Sequence, residues 1–67
     1  MSKEEALEKY KQGRAAGREE RYEDALTIYE SLLEPYIKIF GDTSAELAEL
    51  YYRLGRVYLN LGKKVDF

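Results

Sequence analysis

The chain has 67 residues, with 11 basic and 13 acidic side chains, a net charge of −2, and neither cysteine nor histidine. Those two absences exclude disulfides and the common soft metal ligands, and without a basic excess general nucleic-acid binding has no counterion-releasing charge to draw on. A chain this short buries only about 60% of the surface its unfolded form exposes, so stability must come from close helix packing or from association.

The first predicted helix covers residues 3–19. Ser2 followed by Glu5 forms a capping box, in which each side chain satisfies an orphan backbone N–H of the first turn. The apolar face is thin: Ala6, Leu7 and Tyr10, then Gly13, Ala16 and Gly17. Glycine inside a helix costs about 1 kcal/mol relative to alanine, so two glycines on one face point to another helix backbone passing close by. The start of the chain, Met1 to Glu5, is too acidic and polar for a signal or transit peptide.

The second predicted helix, residues 22–40, carries the strongest pattern. Tyr22, Ala25, Leu26, Tyr29, Leu32, Leu33, Tyr36 and Phe40 step by three and four, the spacing of one helix face. Ile28, Ile37 and Ile39 widen that face, which places this helix between two neighbours. Pro35 removes one backbone bond and crowds the carbonyl of Ser31. A kink is expected there rather than a stop, because the apolar rhythm continues beyond it. Gly41 is expected to end the helix in the left-handed conformation.

The third predicted helix, residues 44–61, opens on a second capping box, Thr43 with Glu46. Leu47, Leu50, Tyr51, Leu54, Tyr58 and Leu61 form one stripe, widened by Ala48, Tyr52, Val57 and Leu59, and Gly62 closes the helix. The tail from Lys63 to Phe67 is too short for a further packed element. Alanine, glutamate, lysine, leucine and arginine supply 36 of the 67 residues, a bias toward long helices. No apolar run approaches the roughly 20 residues that span a bilayer. The expectation is a single all-α domain over residues 1–67, without membrane contact, in the cytoplasm.

Sliding the chain over itself aligns residues 10–16 with residues 52–58, at an offset of 42 between Gly13 and Gly55. A period of that size with two helices per unit means stacked helical hairpins. Gly13, then Tyr22-Glu23-Asp24-Ala25-Leu26, Tyr29 and Leu32, and in the next unit Tyr51, Leu54-Gly55, Tyr58 and Gly62, resemble the tetratricopeptide repeat family. The long second helix before Gly41-Asp42-Thr43-Ser44 resembles the extended variant of kinesin light chains. The pattern departs from the family at Lys9 and Gln12, where a large aromatic and a leucine are usual, and at Lys64 and Phe67. The resemblance implies one and a half repeats, a helical hairpin plus an additional helix. The regular caps and missing cysteine also fit an idealised sequence, engineered or cut from a longer array.

In that family ligands lie against the concave surface lined by the first helix of each repeat. Carried over, that surface is Tyr10, Lys11, Arg14 and Arg18, with Tyr52, Arg53, Arg56 and Asn60. Five of these eight are basic in an acidic chain. Arg14 and Arg18 stand one turn apart, a like-charge spacing that costs a few tenths of a kcal/mol, whereas Glu5 with Lys9, Glu34 with Lys38 and Glu49 with Arg53 are favourable pairs. An arginine stripe flanked by tyrosines suits an acidic peptide or partner protein, because guanidinium grips carboxylate with a two-point fork. The same arginines could instead form a solvated face or pair with glutamates of a neighbouring helix. The family's clamp for terminal carboxylates uses lysine and asparagine where this chain has Tyr10 and Arg14, so a copy of it is not expected. Tyr22, Tyr29, Tyr36, Tyr51 and Tyr58 read as packing residues, while Tyr10 and Tyr52 read as contact surface.

No catalytic residues and no cofactor are expected. Glu4-Glu5, Glu19-Glu20 and Glu23-Asp24 are sequence neighbours and splay around a helix, and no phosphate-cradling glycine loop is present. The competing role is self-association. Leu47, Leu50, Leu54, Val57, Leu59 and Leu61 are too many to reach the first two helices, so the third is expected to pack on another copy, most simply in a two-fold dimer.

Overall fold

The computed structural model describes residues 1–62, which form three helices: α1 (Lys3–Arg18), α2 (Tyr22–Phe40) and α3 (Ala45–Asn60). The reading of the tail as unpacked, and the departures at Lys64 and Phe67, lie outside the described residues. The fold is all-α, and each of α1 and α3 packs chiefly on α2, which sits between them.

The ends of the helices show why the chain turns where it does. Ser2 caps α1 in the reciprocal arrangement: its hydroxyl accepts from the Glu5 N–H at 3.1 Å, and the Ser2 N–H donates to Glu5 Oε1 at 3.4 Å. The cap of α3 is Ser44, whose hydroxyl accepts from the Leu47 N–H at 3.1 Å and donates to the Gly41 carbonyl at 2.9 Å. Thr43 with Glu46 is therefore not the capping pair. Ser44 lies one residue nearer the first helical position, and only from there does a hydroxyl reach the third N–H.

Between α1 and α2 the chain reverses in three residues. Glu20 takes a positive φ of 62°, the Arg21 N–H reaches back to the Ala16 carbonyl at 2.9 Å, and the Glu20 N–H bonds Gly17 O at 3.1 Å. This closes the carbonyl end of α1 without the glycine that commonly occupies such a position. At the end of α2, Gly41 has φ 98° and ψ 157°. Its φ is positive, but its ψ is extended, so it does not adopt the left-handed helical conformation expected of it. Pro35 lies inside α2, which continues to Phe40.

The core is assembled around α2. Ala25, Leu26, Tyr29, Leu32 and Tyr36 are buried there, against Ala6, Tyr10, Gly13 and Ala16 of α1 and Leu47, Leu50, Leu54 and Val57 of α3. Four of the six side chains expected to meet another copy, Leu47, Leu50, Leu54 and Val57, are thus consumed within the chain. Leu61 is half-buried against the same core, and Leu59 alone of the six stands clear, 75% exposed. These four reach the core because α3 lies along α2 with its 3-4-3 stripe facing inward. The small residues of α1 occupy little of α2, and a second face remains for α3.

Gly13 faces the Tyr29 ring. A methyl group there would come within 2.6 Å of Tyr29 Cε1, so glycine makes room for an aromatic side chain rather than for a backbone. Gly17 has open space at the same point and is not a site of close approach.

The 42-residue offset is present in the structure as well. Ser2 and Ser44 cap helices of 16 residues each, and Gly13 and Gly55 are the eleventh residue of α1 and of α3. The environments differ: Gly13 meets Tyr29 of α2, whereas nothing lies within 4 Å of a methyl group built on Gly55.

Candidate functional site

With α2 beneath them, α1 and α3 form the two walls of a groove of about 310 Å³. Arg14, Gly17 and Arg18 come from α1, Tyr22 and Tyr29 from α2, and Arg53, Arg56, Val57 and Asn60 from α3. The i, i+4 spacing of Arg14 with Arg18 puts both on one wall, and Arg53, Arg56, Val57 and Asn60 follow the same helical rhythm on the other. Guanidinium groups line both walls, and a phenolic and aliphatic floor lies between them.

Of the eight residues expected to form a contact surface, Arg14, Arg18, Arg53, Arg56 and Asn60 converge on this groove. Lys11 does not. It borders a separate hollow of about 250 Å³ with Arg14 and Arg18. Tyr52 stands beside the groove, 57% exposed, with its hydroxyl accepting from Arg56 Nη1 at 3.2 Å. The Arg53 and Arg56 guanidiniums lie 5.9 and 5.8 Å from its ring centre, within cation–π range.

Tyr10 corrects the reading of it as contact surface. It is only 8% exposed, because it falls on the stripe of Ala6, Gly13 and Ala16 that faces α2. Its ring sits 5.7 Å from that of Tyr29 and 6.2 Å from that of Tyr36. Its hydroxyl donates to Glu49 Oε1 at 2.9 Å and accepts from Arg53 Nε at 3.2 Å. Tyr51, expected in the core, is 39% exposed, at the edge of the inward stripe of Leu47, Leu50, Leu54 and Val57.

Charge in the groove is incompletely balanced. Arg53 Nη2 is 3.9 Å from Glu49 Oε1, a loose contact on its own helix. Arg14, Arg18 and Arg56 make no ion pair among the described residues; the pairs formed there are Arg21 with Glu19 and Asp24, and Lys38 with Glu34. Arginines paired to glutamates of a neighbouring helix are therefore not what this groove contains.

Burial pushes the Tyr10 and Tyr29 phenols up, and lifts Tyr36 to about 12, so all three are neutral at physiological pH. The hydrogen bond that Arg53 Nε–H donates to the Tyr10 oxygen holds Arg53 even more firmly in its charged form. A groove of guanidinium groups over phenol rings can bind carboxylate or phosphate oxygens and seat one apolar side chain. Among the described residues no group of three or more aspartates or glutamates could hold a metal ion, and no helix is long and apolar enough to cross a membrane.

Tyr22, Tyr29, Gly17 and Val57 are groove residues that the sequence reading had not assigned to the site. Tyr22 and Tyr29 were legible only as packing, because their i, i+7 spacing is the same whether or not one edge of the ring meets solvent. The open side of Gly17 has no sequence signal that separates it from Gly13.

A family model for the tetratricopeptide repeat matches residues 5–65. No curated protein and no solved structure matches the chain.

Proposed function

Because the chain belongs to the tetratricopeptide repeat family, whose members generally mediate protein–protein interactions, we propose that it is an interaction module that grips an acidic peptide segment between α1 and α3. The observation that carries this reading is the convergence of Arg14, Arg18, Arg53 and Arg56 on one groove in a chain of net charge −2. Such a local excess steers acidic segments in and gives each carboxylate a forked donor. Tyr22, Tyr29 and Val57 on the floor and wall favour a peptide with an apolar side chain between its acids. The extended 42-residue form of the repeat belongs to the same reading, supported by the matching positions of Ser2 with Ser44 and Gly13 with Gly55.

The test is fluorescence anisotropy with a labelled peptide of four glutamates around one leucine. Wild type is expected to bind it, and R14E/R18E to lose binding while remaining helical. Affinity should fall as salt rises from about 50 to about 300 mM, since the Debye length shrinks over that range. Equal affinity in wild type and R14E/R18E contradicts the proposal.

A second reading, self-association through the outer face of α3, is favoured by a different observation. Tyr52 and Leu59 are the most exposed large apolar side chains of the described residues, and they stand on the same face as the open Gly55. A two-fold dimer would use Tyr52, Gly55 and Leu59, not the inward-facing leucines. Sedimentation should then show a dimer that L59K dissociates, and a monomer at all micromolar concentrations removes this reading.

A further inference from the structure

We infer that the Tyr10 hydroxyl is a positioning group for the groove: it engages the Glu49 carboxylate and thereby leaves the terminal nitrogens of Arg53 for an acidic ligand. This rests on the groove taking such a ligand. Glu49 and Arg53 are one turn apart on α3, a spacing at which carboxylate and guanidinium can close to the short distances of a forked pair. They do not close. The short bond of Glu49 Oε1, 2.9 Å, comes from the neutral phenol, while Arg53 Nη2 stays 3.9 Å away. The phenol oxygen in turn accepts from Arg53 Nε at 3.2 Å, which fixes the guanidinium by its inner nitrogen.

The phenol is well placed to hold that arrangement. Its ring is packed against Tyr29 and Tyr36, and Tyr36 packs edge-on against Phe40 at 4.9 Å. The hydroxyl therefore has little freedom to move. It also joins α1 to α3, two helices that otherwise pack chiefly on α2. Without it, Glu49 is free to rotate onto Arg53 and neutralise the cation that a ligand would use.

The experiment combines Y10F and E49Q with the glutamate–leucine probe. Y10F keeps the packed ring and removes the hydroxyl. It is expected to lower affinity about five-fold, in keeping with a weakened charge-assisted contact, with a thermal midpoint close to wild type. Y10F/E49Q is expected to regain wild-type affinity, because glutamine brings no charge to Arg53, and E49Q alone to bind at least as tightly as wild type. The relay is read without ligand from the Arg53 Nε–H resonance: it should be protected from exchange in wild type and E49Q, and exposed in Y10F.

Unchanged affinity in Y10F, or a loss that E49Q does not restore, overturns the assignment, since a merely structural tyrosine would not be rescued at Glu49. If wild type binds the probe, R14E/R18E does not, and Y10F still does, the groove reading stands and the role of Tyr10 falls. If wild type ignores the probe while the Arg53 resonance is protected, the groove reading fails and the positioning role fails with it.

Discussion

Gly13 lies against the Tyr29 ring in the packing between α1 and α2. Alanine there places a methyl group 2.6 Å from the Tyr29 ring, which is itself buried and cannot swing away freely. We expect G13A to destabilise the fold by about 1–3 kcal/mol, the range for forced overpacking. G55A, at the equivalent point of α3 with open space around it, should stabilise by up to about 1 kcal/mol through helix propensity. Urea denaturation of the two variants measures both, and equal effects would contradict the packing described. The sequence raised Gly13 and Gly17 alike, because the helix cost of glycine does not reveal what fills its space. Tyr10 was misread for a different reason: it was carried over from the family's concave surface, while its 4-3-3 spacing from Ala6 through Gly13 to Ala16 put its ring inside. The neighbouring phenols make a pH prediction. Tyr36 remains protonated in the native state up to about pH 12, above the unfolded value near 10. The native state thus binds more protons than the unfolded state between those values. Stability contributed by the buried phenols is complete below pH 10 and falls as pH rises toward 12, by at most about 1.4 kcal/mol per pH unit for each tyrosine. Thermal midpoints followed with tyrosinate absorbance from pH 9 to 12 check this, and a flat profile would contradict it.

At the scale of the elements, the caps decide where helices begin. Ser44 bonds both the Leu47 N–H and the Gly41 carbonyl, so it secures α3 and the loop before it. S44A should cost about 1 kcal/mol, as lost caps do, while T43A should stay within about 0.5 kcal/mol of wild type. The reverse order would restore the pairing of Thr43 with Glu46. Helix existence and type were legible because all three segments carry long 3- and 4-residue apolar rhythms. The turn at Glu20 was not, since a positive φ at a glutamate leaves no compositional mark. The inward leucines of α3 were countable but not assignable. Whether three of them, with Val57, meet α2 or another chain depends on how much of α2 the small residues of α1 leave uncovered, a tertiary quantity. The 42-residue offset was legible from Gly13 and Gly55, whereas the matching caps Ser2 and Ser44 were not, because Thr43 offered a competing cap.

In the whole molecule, an acidic chain carries a basic groove. Five of the eight residues read from the sequence as contact surface line it. The residues that missed it are buried Tyr10, lateral Lys11 and Tyr52, which stands at the rim. The arginine stripe was legible because it breaks the favourable i, i+4 pairing used elsewhere; the phenolic floor was not, because packing and lining share one periodicity. The most direct measurement is a titration of the ¹⁵N-labelled protein with the glutamate–leucine peptide, followed through backbone and arginine side-chain resonances. Saturable shifts concentrated at Arg14, Gly17, Arg18, Arg53, Arg56 and Asn60, absent in R14E/R18E, are the expected result. Shifts that gather instead around Tyr51 and Leu59, or that persist unchanged in R14E/R18E, would contradict a groove built to hold acidic segments.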